Sequence, residues 1–270
     1  MKKTAATKQR SPSIAIAYAG PEQKRQACIL AEKLGLPLAV EKGNYDLMLR
    51  CSETGLEIFK PDDPLLTGKV RADFVGGTSG YRRSHGGSEI LIKAIGCRKN
   101  TRTTVLDATG GFGRDAFIMA SHGCRVRIAE KNPITAALLE DGLLRAANHP
   151  ETRVICERIS FTFGNSLDLL SGKNNAESFD VVYLDPMFPR RNKSAQVKKE
   201  QQILQELTAP EDDIENLLAL ALRKAGRKVV AKRPKSSSPL PGPKPSYHLG
   251  GRVIRFDIYL AEAHRNPKKS

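Results

Sequence analysis

The chain has 270 residues, of which 40% are hydrophobic and 27% charged, so it reads as a globular protein of one or two domains with a sizeable core. Its formal net charge of +15 points to a polyanionic partner, most simply nucleic acid. No segment approaches the length of a membrane span. The cysteines at 28, 51, 97, 124 and 156 are odd in number and form no C-x-x-C pair, so reduced thiols in a cytoplasmic protein are expected. The histidines are scattered, so no metal site is expected, and neither a Ser-His-Asp pattern nor a Walker loop is present.

Residues 1–12 are polar and basic and are expected to be disordered. The lysines before Ile14-Ala-Ile-Ala-Tyr18 imitate a signal peptide. The apolar run is too short for one, and Pro12 and Pro21 bracket it, so a strand is the better reading. Pro21 opens a helix through Leu34 that carries Ala27, Leu30, Ala31 and Leu34 on one face. Strands follow near 37–40, 46–52 and 56–60, with Gly43-Asn44 and Thr54-Gly55 as turns. Residues 1–75 thus read as a small α+β unit. Residues 76–270 read as the catalytic domain.

Five glycines in 76–88 surround Tyr81-Arg82-Arg83-Ser84-His85, which suggests a loop that brings Arg82, Arg83 and His85 to RNA. A helix at 89–96 ends at Gly96. Strands then alternate with helices: strand 103–107, helix 113–121, strand 125–130 and helix 133–147, with Asn132 as its N-cap and Pro133 at its first position. Strands are predicted near 153–163 and 179–184, helices at 194–208 and 211–225, and final strands at 228–232 and 252–260. The proline-rich link 234–245 cannot be helical, so the last strand is expected to be antiparallel. The class is α/β, with a mostly parallel sheet covered on both faces.

The stretch from Thr104 to Asp115 carries the chemistry. An apolar strand ends at Asp107, and Gly110, Gly111 and Gly113 turn the chain into a helix that starts at Arg114-Asp115. Gly111-Phe-Gly113-Arg-Asp-Ala116 also satisfies the dinucleotide pattern G-x-G-x-x-A, so an NAD(P)-dependent oxidoreductase is one reading. Asp107 favours S-adenosylmethionine, because its carboxylate can face a cationic amino-acid end but would repel a pyrophosphate. Glu130, 23 residues beyond Asp107, stands where a ribose diol is held in such folds. Asn165-Ser166 could meet an adenine edge or simply cap a helix.

Phe179-Asp-Val-Val-Tyr-Leu-Asp185-Pro-Met-Phe-Pro189 resembles the [N/D]-P-P-[Y/F] motif of amino-methyltransferases. Asp185 and the Pro186 carbonyl would accept hydrogens of the target nitrogen, and Phe188 would offer a π-face to the base. Arg190, Arg191 and Lys193 follow and read as phosphate contacts. DNA adenine or protein glutamine are alternative acceptors for the same motif, and a non-catalytic RNA-binding protein is a further alternative.

Taken together, Leu-Asp107-Ala-Thr-Gly-Gly-Phe-Gly-Arg114-Asp115, Tyr-Leu-Asp185-Pro-Met-Phe-Pro, Lys-Ser-Ala-Gln-Val-Lys-Lys-Glu200, Val-Ala-Lys-Arg-Pro234 and Arg-Phe-Asp-Ile-Tyr259 resemble the ribosomal RNA small subunit methyltransferase J family. The resemblance is strong over about 70–260. It implies a class I (Rossmann-like) fold. It also implies methyl transfer from S-adenosylmethionine to the 2-amino group of a guanosine in 16S rRNA, as free rRNA or in the 30S subunit. Carried onto this chain, it implies donor contacts at Arg114, Asp115, Glu130, Lys131, Asn165, Ser166 and Asp185. The family pattern carries a small residue, Gly and Leu where this chain has Gly-Gly-Phe-Gly, and Arg where it has Lys131.

Overall fold

A computed structural model describes residues 12–39, 44–61, 69–76, 89–97, 102–172, 178–187, 199–207 and 213–261. The chain divides into two compact units, 1–70 with 193–209, and 71–192 with 210–270.

In the first unit, β1 (Ile14–Tyr18) leads through a 3-10 turn at Pro21–Gln23 into α1 (Lys24–Leu34). β2 (Leu47–Ser52) and β3 (Gly55–Phe59) complete a sheet in the order β1-β2-β3, parallel then antiparallel. The expected face of α1 is buried at Ala27 and Ala31 and half-buried at Leu30 and Leu34. It packs over a core that includes Ile16, Leu47, Leu49 and Ile58. The predicted strand at 37–40 shows, among the described residues, one bridge, Ile16 to Leu38, in which the Ile16 amide donates to the Pro37 carbonyl and the Ala39 amide to the Ile16 carbonyl. The helix Lys199–Leu207 also belongs to this unit, where Glu206 pairs with Lys60 at 2.6 Å.

The second unit runs through α2 (Glu89–Ile95), β4 (Thr104–Asp107), α3 (Arg114–Ser121), β5 (Arg125–Glu130), α4 (Pro133–Ala147), α5 (Arg153–Cys156), β6 (Ile159–Phe163), α6 (Ser166–Ser171) and β7 (Phe179–Leu184). After the helix Lys199–Leu207 (α7) come α8 (Ile214–Lys224), β8 (Ala225–Pro234), β9 (Tyr247–Gly250) and β10 (Ile254–Leu260). The seven strands lie in the order β6-β5-β4-β7-β8-β10-β9. β10 is antiparallel to both its neighbours, and every other pairing is parallel. Val105, Leu106, Val181, Val182, Val229 and Val230 are fully buried, which is why these strands read as continuous apolar runs rather than alternations. The apolar stripe of α8, with Leu217, Leu218, Ala221 and Leu222, closes one face of the sheet.

Three expectations need correction. Residues 153–163 are not one strand: the amides of Ile155 and Cys156 bond the Thr152 carbonyl at 3.0 Å each, so 153–156 closes as a helical turn before β6 begins. β9, just after the proline-rich link, adds a strand that the sequence does not announce, because it has only four residues, mostly exposed, and so carries no apolar pattern. Cys97 and Cys124 are joined sulfur to sulfur rather than free, with Cα atoms 6.6 Å apart. The packing of α2 beside α3 brings these distant positions together, which spacing in the sequence does not disclose.

Candidate active site

The carboxyl ends of the parallel strands gather the polar residues of the second unit. β4 delivers Asp107, which is buried and accepts a hydrogen bond from the Thr109 amide at 3.2 Å. The glycine turn then folds back on β5, where the Gly110 amide donates to the Ala129 carbonyl at 3.0 Å. A Cβ on Gly110 would lie 2.5 Å from Ile128 Cγ2 and 2.9 Å from the Ala129 carbonyl oxygen, so only glycine fits this approach. Gly113, at φ 69°, caps α3, and a Cβ there would meet Leu139 at 2.6 Å. At Gly111, φ 53°, a Cβ would meet only the Thr109 carbonyl oxygen, at 3.9 Å. The turn is therefore tight against the sheet on one side and open on the other, which is the form of a ligand cradle.

Glu130 ends β5 and braces that cradle. Its two carboxylate oxygens accept the Gly111 amide and the Asn132 amide, each at 2.7 Å. Asn132 caps α4 as expected, accepting from Ile134 and Thr135 at 3.0 Å each. Lys131 is exposed beside it. Asn165 caps α6 through the Leu167 amide at 3.0 Å, and the buried Ser166 hydroxyl donates to the Ala108 carbonyl, tying α6 to the β4 turn.

Arg114 and Asp115 open α3, and Asp115 points into a network that no local motif foretold. Asp115 Oδ2 accepts from the Tyr183 hydroxyl at 2.7 Å and from Lys232 Nζ at 2.7 Å. The same ammonium donates to Asp185 Oδ2 at 2.8 Å. The Asp185 amide donates to Thr109 Oγ1 at 2.6 Å, which links the end of β7 to the glycine turn. No motif in the sequence marks a role for Lys232, Tyr183 or Thr109. The available signal was a single charge in the apolar run Val229-Val-Ala-Lys232 of β8.

The electrostatics follow from the crowding. Burial pushes Asp107 up to about 8 against the pull of the Thr109 amide, and the charges of Asp115, Asp185 and Glu130 push it the same way. Burial also raises Tyr183, aided by Asp115 and Asp185. Burial would lower Lys232, but the paired carboxylates of Asp185 and Asp115 outweigh it and hold the ammonium charged. Asp185 is raised by burial despite the opposing pull of Lys232. Asp115 and Asp185 thus share one lysine, and with Glu130 close to Asp107 the site holds more carboxylates than cations, which suits a ligand with a sulfonium and an ammonium. The cradle and these acids fit S-adenosylmethionine.

Pro186 is buried and Met187 half-buried behind Asp185. Phe188, Arg82, Arg83, His85, Arg190, Arg191 and Lys193 lie outside the described residues. Among the described residues, no cluster of His, Cys, Asp or Glu is placed to hold a metal ion, and no helix is long and apolar enough to cross a membrane.

A seven-stranded sheet of this order, with a glycine cradle after β4 and an Asp-Pro turn after β7, defines a class I S-adenosylmethionine-dependent methyltransferase. The model of a family described as "Putative SAM-dependent methyltransferase" matches residues 29–261. A solved SAM-dependent methyltransferase from Neisseria gonorrhoeae is similar with a TM-score of 0.73 and 31% identity, covering 92% of this chain and 96% of its own. Ribosomal RNA small subunit methyltransferase J of Pseudomonas aeruginosa (strain UCBPP-PA14) is 45% identical over 237 residues, 86% of this chain and 89% of that protein. The protein of the same name from Thioalkalivibrio sulfidiphilus is 42% identical over 251 residues, 92% and 97% of the two chains. The chain belongs to the ribosomal RNA small subunit methyltransferase J family. Membership decides the reading of the glycine turn for S-adenosylmethionine over a dinucleotide.

Proposed function

We propose that this protein methylates the exocyclic 2-amino group of a guanosine in 16S rRNA, as free rRNA or within the 30S subunit, in the cytoplasm. The observation that carries the reading is Asp185, at the end of β7, held by Lys232 and followed by the buried Pro186. An aryl amine is a poor nucleophile because its lone pair is delocalised into the ring. Acceptors for its two hydrogens favour the tetrahedral geometry in which that pair can attack. Asp185 and the Pro186 carbonyl are those acceptors, and Phe188 is the stacking surface for the base.

S-adenosylmethionine supplies an activated methyl group on a sulfonium. The chain's own part is to place and orient. Asp107, Asp115 and the Gly111–Gly113 turn hold the cationic end of the donor, with Arg114 beside them. Glu130 and Lys131 take the ribose, and Asn165 and Ser166 the adenine side. Lys232 is a positioning residue. Its shared ammonium fixes the Asp185 carboxylate toward the acceptor and offsets the repulsion between Asp185 and Asp115. After transfer the alkylated nitrogen carries one proton too many, and Asp185 can accept it. Lys232 keeps its own.

The test is to incubate the protein with methyl-labelled S-adenosylmethionine and 30S particles from a strain lacking this gene, with wild-type particles as control. Label in the 2-amino group of one guanosine, only in particles from the lacking strain, is expected. Label that appears instead in DNA adenine or protein glutamine, with rRNA left blank, overturns the substrate.

A further inference from the structure

We infer that the β8–β9–β10 region is a preformed shelf for the phosphate backbone of the substrate RNA, with Lys235, Lys244 and Arg252 as its contacts; this rests on the rRNA reading above. Between 216 and 256 the sequence has ten lysines and arginines and no acid. Some of those cations are committed inward. Lys232 serves Asp115 and Asp185. Arg233 donates to the Ser238 carbonyl at 3.0 and 2.6 Å. Arg255 pairs with Asp257 at 2.7 and 3.1 Å, and donates to the carbonyls of Lys235 and Ser237 at 2.7 Å each. Lys235, Lys244 and Arg252 differ, because they are exposed and form no ion pair among the described residues.

The arginines that are used up make the shelf rigid. The link after β8 would be a floppy, proline-rich loop, yet it is tied down at several points. Besides the arginine bonds, the Lys235 amide donates to the Val253 carbonyl at 2.9 Å and the Ser246 amide to the Ile258 carbonyl at 2.8 Å. Leu240, in the middle of the link, is 4% exposed and anchors in the core. A polyanion docking here meets charges already in place, so little ordering entropy is lost on binding.

Position and chemistry agree with RNA. Lys235 lies three residues beyond Lys232, just past the end of β8, about 10 Å along the chain at the rise of a strand. A groove of about 560 Å³ opens beside it, lined in part by Ser237, His248 and Gly250. The acid in that groove is Asp257, neutralised by the bidentate Arg255. Tyr247 is 45% exposed on β9, where an unpaired base can stack.

The experiment compares the full chain with the triple variant Lys235→Gln, Lys244→Gln, Arg252→Gln in methylation of 30S particles at several salt concentrations. The KM for particles is expected to rise about tenfold or more, with kcat and donor affinity within twofold. The salt dependence should flatten by about two in log–log slope, since each phosphate contact to a single strand contributes ~0.7. If the triple variant no longer binds donor, Lys244→Gln alone carries the test, with a two- to threefold rise in KM and a shallower slope expected. Unchanged KM and slope in a variant that binds donor normally overturns the shelf while the rRNA reading stands. Wild-type protein that methylates no rRNA overturns both.

Discussion

The two halves of the large sheet build their share of the site by different means. The half made by β4, β5 and β6 relies on backbone and near neighbours: Glu130 holds the amides of Gly111 and Asn132, and Asn165 holds that of Leu167. The half made by β7 and β8 relies on side chains that meet only in the fold, Lys232 with Asp185 and Asp115, 47 and 117 positions away. The first arrangement shapes a cradle for a ligand that arrives whole. The second controls the charge and direction of the carboxylate that, in the proposed reaction, acts on the target nitrogen. A change in the acceptor half should therefore strike turnover, and a change in the donor half should strike binding or stability.

The largest effect belongs to Asp185. Asp185→Ala should lower kcat by at least about 10³-fold, because in the proposed reaction it removes an acceptor for the amine's hydrogens and the base that takes the surplus proton. RNA affinity, measured by filter binding, should stay within twofold. A variant that loses RNA affinity in step with turnover would place Asp185 in substrate binding and break the division between the halves.

Lys232 comes next. Lys232→Met should cost about 10- to 100-fold in kcat, and Lys232→Arg should recover part of it, since a guanidinium can still bridge two carboxylates. The rate profile of Lys232→Met should move to higher pH, because Asp185 and Asp115 then repel each other without compensation and hold protons longer. A loss of rate with an unmoved profile would mean that Lys232 only supports the fold.

The same division explains what could be read from sequence. The cradle is legible because Asp107, the three glycines, Glu130 and Asn132 sit within 26 consecutive residues, and the acids stand at the ends of strands rich in β-branched residues, Thr104-Val-Leu and Val126-Arg-Ile-Ala. Asp185 was legible because proline after a buried strand is a rare local signal. Lys232 has no local signal of its own beyond the family resemblance, since its partners are fixed by strand order, with β8 beside β7 and β7 beside β4. The disulfide between Cys97 and Cys124 and the four-residue β9 were hidden for the same reason: tertiary neighbours make them, not local pattern.

In the donor half, Asp107 gives a pH signature. Its folded value of about 8 lies above the ordinary 3.8, so from about pH 4 to pH 8 the folded chain keeps a proton that the unfolded chain has lost. Stability through this group therefore falls as pH rises across that window, by about 1.4 kcal/mol per pH unit at most. Asp107→Asn should flatten the fall, measured by urea unfolding at several pH values. Binding a cationic donor should expel the proton, so calorimetry at pH 7 in buffers of different ionisation enthalpy should detect proton release in the wild type and none in Asp107→Asn. Equal traces for the two proteins would remove Asp107 from the donor site.

The smallest effect is at Asn165, where capping and ligand contact can be separated. Asn165→Ala removes the acceptor for the Leu167 amide and should cost about 1 kcal/mol of stability. Asn165→Asp keeps an acceptor at the same place and should restore that stability. It lacks the amide's donor, however, and so cannot offer a hydrogen to an acceptor on an adenine edge. Donor affinity should therefore remain several-fold weaker in Asn165→Asp than in the wild type, although its thermal midpoint recovers. If affinity recovers together with stability, Asn165 is a helix cap alone, and the adenine side of the site is carried by Ser166 and the backbone around it.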